Sequence, residues 1–335
     1  PPYAHEWNLS IQKQLGADWL LQTNYVGNGY RHLPGSDQGN PGIYIPGSCV
    51  INGVTTNPCS TVTNVNFRRK LYLQNPAQGQ YFLNIRQYVD GGTSSYNALV
   101  LSAQHRSANG YSLQAVYTWS HCISDVVVVE NGGNGYMIPG DRGRDRSNCP
   151  GSDRRHTFNL SAVYESPRFS SAMLRRVASG WQVSSIVRLV TGPYIAVTTG
   201  IDQALTGQAN QRPNQILTDP YVSNRSLDHY LNPAAFAQPA LGTYGNLGNF
   251  NILSPGTITV NMGLVRTVKL QERTSVQFRL EAFNVLNHLN PGTPTGVSGS
   301  AGLYTPSVAI TNPNFGRILS ADDPRILQGA LKFIF

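Results

Sequence analysis

GYSLQAVYTWSH, residues 110–121, sets Tyr111, Leu113, Ala115, Tyr117 and Trp119 against Ser112, Gln114, Thr118 and Ser120, with Val116 the one exception. Successive side chains of a strand point to opposite faces, so this alternation marks a β-strand with one dry and one wet face. Soluble antiparallel sheets alternate in the same way. What the dry face packs against, a protein core or lipid, decides the fold.

The pattern recurs along the chain. EWNLSIQKQL (6–15) and WLLQTNYVG (19–27) flank a short turn at Gly16-Ala17-Asp18, and SYNALVLSAQHRS (95–107) reaches the quoted stretch through Ala108-Asn109-Gly110. Asn-Gly is a strong signal for a tight hairpin. HTFNLSAVYE (156–165), GWQVSSIVRLV (180–190), TITVNMGLVRTVKL (257–270), SVQFRLEAFNVL (275–286) and RILQGALKFIF (325–335) complete nine expected strands. Their connections are unequal. Turns near 16–18, 108–110, 167–179 and 271–273 alternate with long Gly-, Pro-, Asn- and Ser-rich segments at about 30–93, 123–154, 193–255 and 288–323. Such loops are unusual in a compact soluble domain. Short turns at one end and long loops at the other suit an outer-membrane barrel.

The composition is compatible with that reading. Charged residues make up 13 % of the 335 residues, with 17 Tyr and 33 Gly, against about 25 % charge in ordinary soluble domains. Mean hydropathy is nevertheless −0.25, because uncharged polar residues replace the charges. A Gly/Asn-rich secreted protein would share this profile. The net charge of +8 is dispersed among loop clusters: Arg68, Arg69 and Lys70, then Arg142, Arg144, Arg146, Arg154 and Arg155 diluted by Asp141, Asp145 and Asp153. We read these as solvated loop charge and expect no nucleic-acid partner. Cys49 with Cys59, and Cys122 with Cys149, fall in loop segments and are expected to form disulfides in an oxidising compartment. Zinc is the rival reading, although the spacings are not those of a zinc motif.

A lipid-facing sheet must satisfy every backbone group internally, hence as a closed barrel, apolar outside and wet inside. In 275–286, Val276, Phe278, Leu280 and Ala282 share one face, and Gln277, Arg279 and Glu281 the other. Trp7, Trp19, Trp119 and Trp181 fall at or near expected strand ends, where an aromatic belt belongs. Arg188, Arg279 and Glu281 are expected to face the lumen, since a charge facing lipid costs about 2–4 kcal/mol at mid-bilayer. At the C-terminus Leu331, Phe333 and Phe335 alternate, and Phe335 is terminal. Pro1 leads at once into a strand, and nine strands starting downward require another upstream. We therefore expect an all-β, antiparallel transmembrane barrel of which residues 1–335 are the C-terminal part, with plug and N-terminal regions lying outside.

Taken together, EWNLSIQKQLGADWLLQTNYVGNGYRHL, SSYNALVLSAQHRSANGYSLQAVYTWSHCISD, DRRHTFNLSAVYE, GWQVSSIVRLVTGPYIAVTTG and SVQFRLEAFNVLNHLNP resemble the barrel of TonB-dependent outer-membrane receptors, in particular the Oar-like group. The resemblance implies a large plugged barrel in a Gram-negative outer membrane that imports a solute using TonB and the inner-membrane proton gradient. It also implies that Gln328, Leu331, Phe333 and Phe335 form the signal read by the barrel-assembly machinery, with Ala330 in the usual glycine position and Gly329 one place earlier. TonB would be engaged through a region absent from this sequence.

No catalytic or nucleotide-binding motif is present, and we expect neither enzyme activity nor a cofactor. His121, Asp125 and His156 are weighed as a metal site against ordinary loop hydrogen bonding. Tyr44, Tyr136, Tyr221 and Tyr244 are candidate loop contacts to a solute, glycan or peptide ligand. The alternatives are a passive or adhesive outer-membrane barrel, and a soluble secreted β-sheet protein that binds glycans.

Overall fold

The computed structural model describes residues 1–106, 110–126, 136–150, 152–208, 211–294 and 307–335. Nine long strands follow one another in an antiparallel meander: β1 (Tyr3–Leu15), β2 (Trp19–Gln38), β3 (Arg86–Arg106), β4 (Tyr111–Ser124), β5 (His156–Glu165), β6 (Trp181–Val190), β7 (Thr257–Lys269), β8 (Ser275–Phe283) and β9 (Ile326–Ile334). Each pairs with its sequence neighbours, and a two-residue strand, Ser147–Asn148, joins β4 off this path. β1 and β9 are the two edges. Among the described residues no helix is long and apolar enough to cross a membrane.

The register carries one face through the whole wall. Tyr117 pairs with Phe158, Phe158 with Leu189, and Leu189 with Ile258. On the opposite face Thr118 pairs with Thr157, and Asn159 with Arg188 and Arg188 with Thr259. A strand places alternate residues on alternate faces, so a one-residue slip would invert this arrangement. The apolar face lies open: Leu9 is 62 % exposed, Phe278 51 % and Leu331 54 %. Trp19 and Trp181 begin their strands, whereas Trp7 lies inside β1, where its indole covers Gly27. A Cβ at Gly27 would sit 2.2 Å from Trp7 Nε1, so only glycine lets the ring lie flat on the wall.

β2 and β3 run further than expected. Their pairing continues to Gln38↔Arg86, with register shifts between Tyr30, Leu33 and Gly35. About 9–11 residues suffice to span a bilayer, so this hairpin stands well above the rest of the wall. The segment 30–93 is thus partly strand. Asn109 lies outside the described residues, although Arg106 pairs with Ser112 on either side of the connection. The connection 166–180 contains a short helix, Ala172–Val177.

The long connections gather at one end and form a folded cap. Tyr194–Thr198 pairs antiparallel with Ile252–Leu253 and parallel with Ser307–Ala309. Ile195, Val197, Leu231, Phe236, Leu247, Ile252, Phe315 and Ile318 make its hydrophobic core. The wall has a dry outer face and the cap has the buried interior, which inverts the plan of a soluble sheet protein.

Candidate functional site

The cap is held by groups that sequence reading treats as solvent-facing. Arg68 is fully buried, donating to Ile43 O, Thr61 O, Leu205 O and Asn64 Oδ1. Arg69 is also buried and donates to Asn40 O and Asn66 Oδ1. This corrects the reading of Arg68 and Arg69 as solvated charge, while Lys70 beside them is exposed: backbone carbonyls take the place of water around each guanidinium. Burial pulls both below the usual arginine range, opposed by Asp202. Asp202 in turn accepts from Thr206 N, Gly207 N and Gln211 Nε2. In the second cluster, Arg142 pairs with Asp125 at 3.1 Å and Arg155 with the buried Asp153 at 3.3 Å. Arg212 reaches Asp145 at 2.5 Å, both side chains nearly inaccessible, and also donates to Leu247 O and Arg144 O. Lone arginines far apart in sequence carry no local signal for this pairing.

Two disulfides close the loop segments. Cys49 joins Cys59 with Cα atoms 5.1 Å apart, and Cys122 joins Cys149 at 5.3 Å. The first staples a small hairpin, Cys49–Ile51 with Val54–Thr56. The second ties the end of β4 to the segment ending at Pro150.

Arg188, Arg279 and Glu281 lie on the polar face. Arg188 stands between Asn159 and Thr259. Arg279 and Glu281, on the same face of β8, approach to 3.8 Å. Near the cap, burial and the neighbouring Arg188 together lower the affinity of the Arg154 guanidinium for its proton, and Arg154 donates to Thr191 O at 3.1 Å. Two open grooves run along this face. One, of about 330 Å³, is lined by Ser161, Ser184, Ile186, Asn261, Gly263 and Glu281 among others. The next, of about 580 Å³, lies toward the cap and includes Thr259, Asn284, Asn290, Asp322 and Asp323. The polar face therefore offers carboxylates, amides and guanidinium groups to whatever lies inside it.

The candidate tyrosines serve the cap. Tyr136 is buried against Gly35, its hydroxyl has no partner among the described residues, and burial raises its pKa above the phenol range. Tyr221 donates to Leu253 O and accepts from Leu253 N, and burial raises it too. Burial pushes Tyr244 up to about 12. Tyr44 packs over Gly242. Tyr136 is thus enclosed by packing, whereas Tyr44, Tyr221 and Tyr244 are half-buried and take part in packing or hydrogen bonding within the cap. His121, Asp125 and His156 turn to different partners: Asn148 Oδ1 for His121, Thr93 and Arg142 for Asp125, and the Tyr117 hydroxyl for His156. Among the described residues no group of three or more potential ligands is placed to hold a metal ion.

At the C-terminus, Leu331 and Phe333 lie on the apolar face opposite Phe278 and Val276, and Gln328 lies on the polar face opposite Glu281. Phe335 follows the last strand and is 97 % exposed.

An antiparallel meander with an apolar outer face, a polar inner face, short turns at one end and folded loops at the other defines the class of transmembrane β-barrels. The chain belongs to the family described as "Outer membrane beta barrel domain", whose profile matches residues 1–328. It is a protein of the cell outer membrane. Among curated proteins none matches. Among solved structures, the outer membrane transporter YddB from Escherichia coli is similar over 99 % of this chain and 32 % of its own, at 10 % identity and TM-score 0.47. BauA, the ferric preacinetobactin receptor from Acinetobacter baumannii, is similar over 99 % and 29 %, at 12 % identity and TM-score 0.43. The ferric-catecholate import receptor Fiu from E. coli K12 is similar over 99 % and 28 %, at 11 % identity and TM-score 0.42. The chain spans about a third of the length of these structures.

Proposed function

We propose that residues 1–335 are the C-terminal part of the barrel of a TonB-dependent receptor of the Oar-like type, which binds a solute, glycan or peptide at the cell surface for energised import. The observation that carries this reading is the polar inner face, with Arg188, Arg279 and Glu281, beneath a folded cap. A lumen lined by ionisable groups suits a plug and a polar cargo. In this reading the TonB complex acts through a region N-terminal to this sequence. The barrel-assembly machinery reads Gln328, Leu331, Phe333 and Phe335, and lipid surrounds the apolar face.

Two measurements on the full-length protein test it. In planar bilayers a plugged receptor stays closed at rest, whereas a passive barrel shows a steady open conductance. In cells, accumulation of a labelled solute should need both the gene and the proton gradient. A standing conductance, with uptake that survives an uncoupler, would replace the receptor with a passive barrel.

A further inference from the structure

A groove of about 600 Å³ opens on the apolar side of the wall, where the wall meets the cap. Its floor is the row Tyr117, Phe158, Leu189 and Ile258, set side by side across four adjacent strands by the register. Arg225, His156 and His288 also line it, and no carboxylate lines it among the described residues. Arg225 is held there by the cap. The hydroxyls of Tyr221 and Tyr230 both donate to Leu253 O, at 3.1 and 3.0 Å, and the Arg225 guanidinium lies 4.0 Å from the centre of the Tyr221 ring. Stacking occupies the flat face of a guanidinium and leaves its N–H edge for an anion. Arg225 is exposed, donates a hydrogen bond to the Tyr230 hydroxyl, and forms no ion pair among the described residues, so most of its five N–H donors face the groove without a counter-charge. His156 and His288 use Nδ1 toward Tyr117 and Asn290.

An apolar floor continuous with the membrane-facing wall, edged on the cap side by the Arg225 guanidinium and two imidazoles, matches an amphiphile with an acyl chain and an anionic head. We propose that this groove binds a phosphorylated, acylated lipid of the outer leaflet. The acyl chain lies along the row from Tyr117 to Ile258, and the phosphate meets Arg225 between His156 and His288. This site needs the apolar face to meet lipid but does not need energised import.

The test uses the full-length protein purified in a nonionic detergent and analysed by native mass spectrometry. Three probes are compared: an acylated diphosphoryl disaccharide lipid, the same lipid after phosphatase treatment, and inorganic phosphate. A charge-assisted phosphate contact predicts about tenfold weaker binding for the dephosphorylated lipid and for R225A, with R225K intermediate. Because Arg225 is exposed, R225A should keep the wild-type thermal transition, and H288A provides a second variant expected to weaken binding. Equal binding of both lipids, or of wild type and R225A, overturns the proposal. So does binding of inorganic phosphate as tight as that of the lipid, which would make the site one for a free anion. Failure in a protein that needs detergent to stay folded concerns the groove alone, whereas a protein folded without detergent would remove the membrane reading itself.

Discussion

Arg212 and Asp145 show how much of the cap depends on single side chains. Their pair is buried, and the Arg212 guanidinium also satisfies Leu247 O and Arg144 O. Removing one partner of a buried pair leaves the other charge without water or counter-charge, at about 3–5 kcal/mol. Asp145→Ala should therefore destabilise the cap by that order, seen as earlier tryptic cleavage near Arg144 and Arg146 while the detergent-resistant wall persists. An unchanged cleavage pattern would show that water reaches the pair. This pair was not legible in the sequence, because its members stand 67 residues apart and nothing near Arg212 marks it. The same holds for Arg68, whose carbonyl partners come from Ile43, Thr61 and Leu205. Cys49 and Cys59 share one segment, so sequence reasoning can at least consider them together.

At the scale of the element, alternation makes a strand legible while its ends stay obscure. β5 spans the expected 156–165, because HTFNLSAVYE alternates from end to end and is bounded by polar segments. β2 was expected to end near Gly27 but continues to Gln38. The added stretch contains Gly29, Pro34 and Gly35, residues that disfavour strands. The neighbouring β3 supplies the backbone pairing, and shifts around Leu33 absorb the misfit. Two substitutions one residue apart should separate the faces. Phe278→Arg places a charge on the outer face and should cost about 2–4 kcal/mol at mid-membrane, while Gln277→Arg on the inner face should cost far less. Urea unfolding of the barrel in vesicles measures both, and equal losses would contradict a lipid-facing Phe278.

The cap carries its own prediction. Burial pushes Tyr230 and Tyr244 up to about 12 from an ordinary value near 10. Below pH 10 both are neutral whether the cap is folded or not. Between about 10 and 12 the unfolded cap releases their protons while the folded cap retains them, so stability falls as pH rises. Absorbance at 295 nm should show late-titrating tyrosines, with protease sensitivity of the cap rising in the same window. Tyr230→Phe and Tyr244→Phe together should flatten that dependence.

The whole molecule sorts its residues by neighbourhood. Its hydrophobic core, around Ile195, Leu231 and Ile252, lies in the connections, whereas Leu9, Phe278 and Leu331 of the wall lie open. The sequence made the wall legible, since a period of two survives translation into structure residue by residue. It left the cap unread: contacts such as Ala196↔Ser307 join segments far apart, and no periodicity announces them. The membrane reading can be checked across an entire strand. Spin labels placed in turn at residues 112–119 of β4, in the full-length protein reconstituted in vesicles, should alternate. Positions 113, 115, 117 and 119 should respond to oxygen dissolved in lipid, and positions 112, 114, 116 and 118 to a water-soluble nickel chelate. Val116 is the discriminating position, because its side chain is apolar while the register places it opposite Asn159 on the inner face. A label there that responds to the nickel chelate shows that geometry assigns the face; a label there that responds to oxygen would mean that β4 is not held in this register in the membrane.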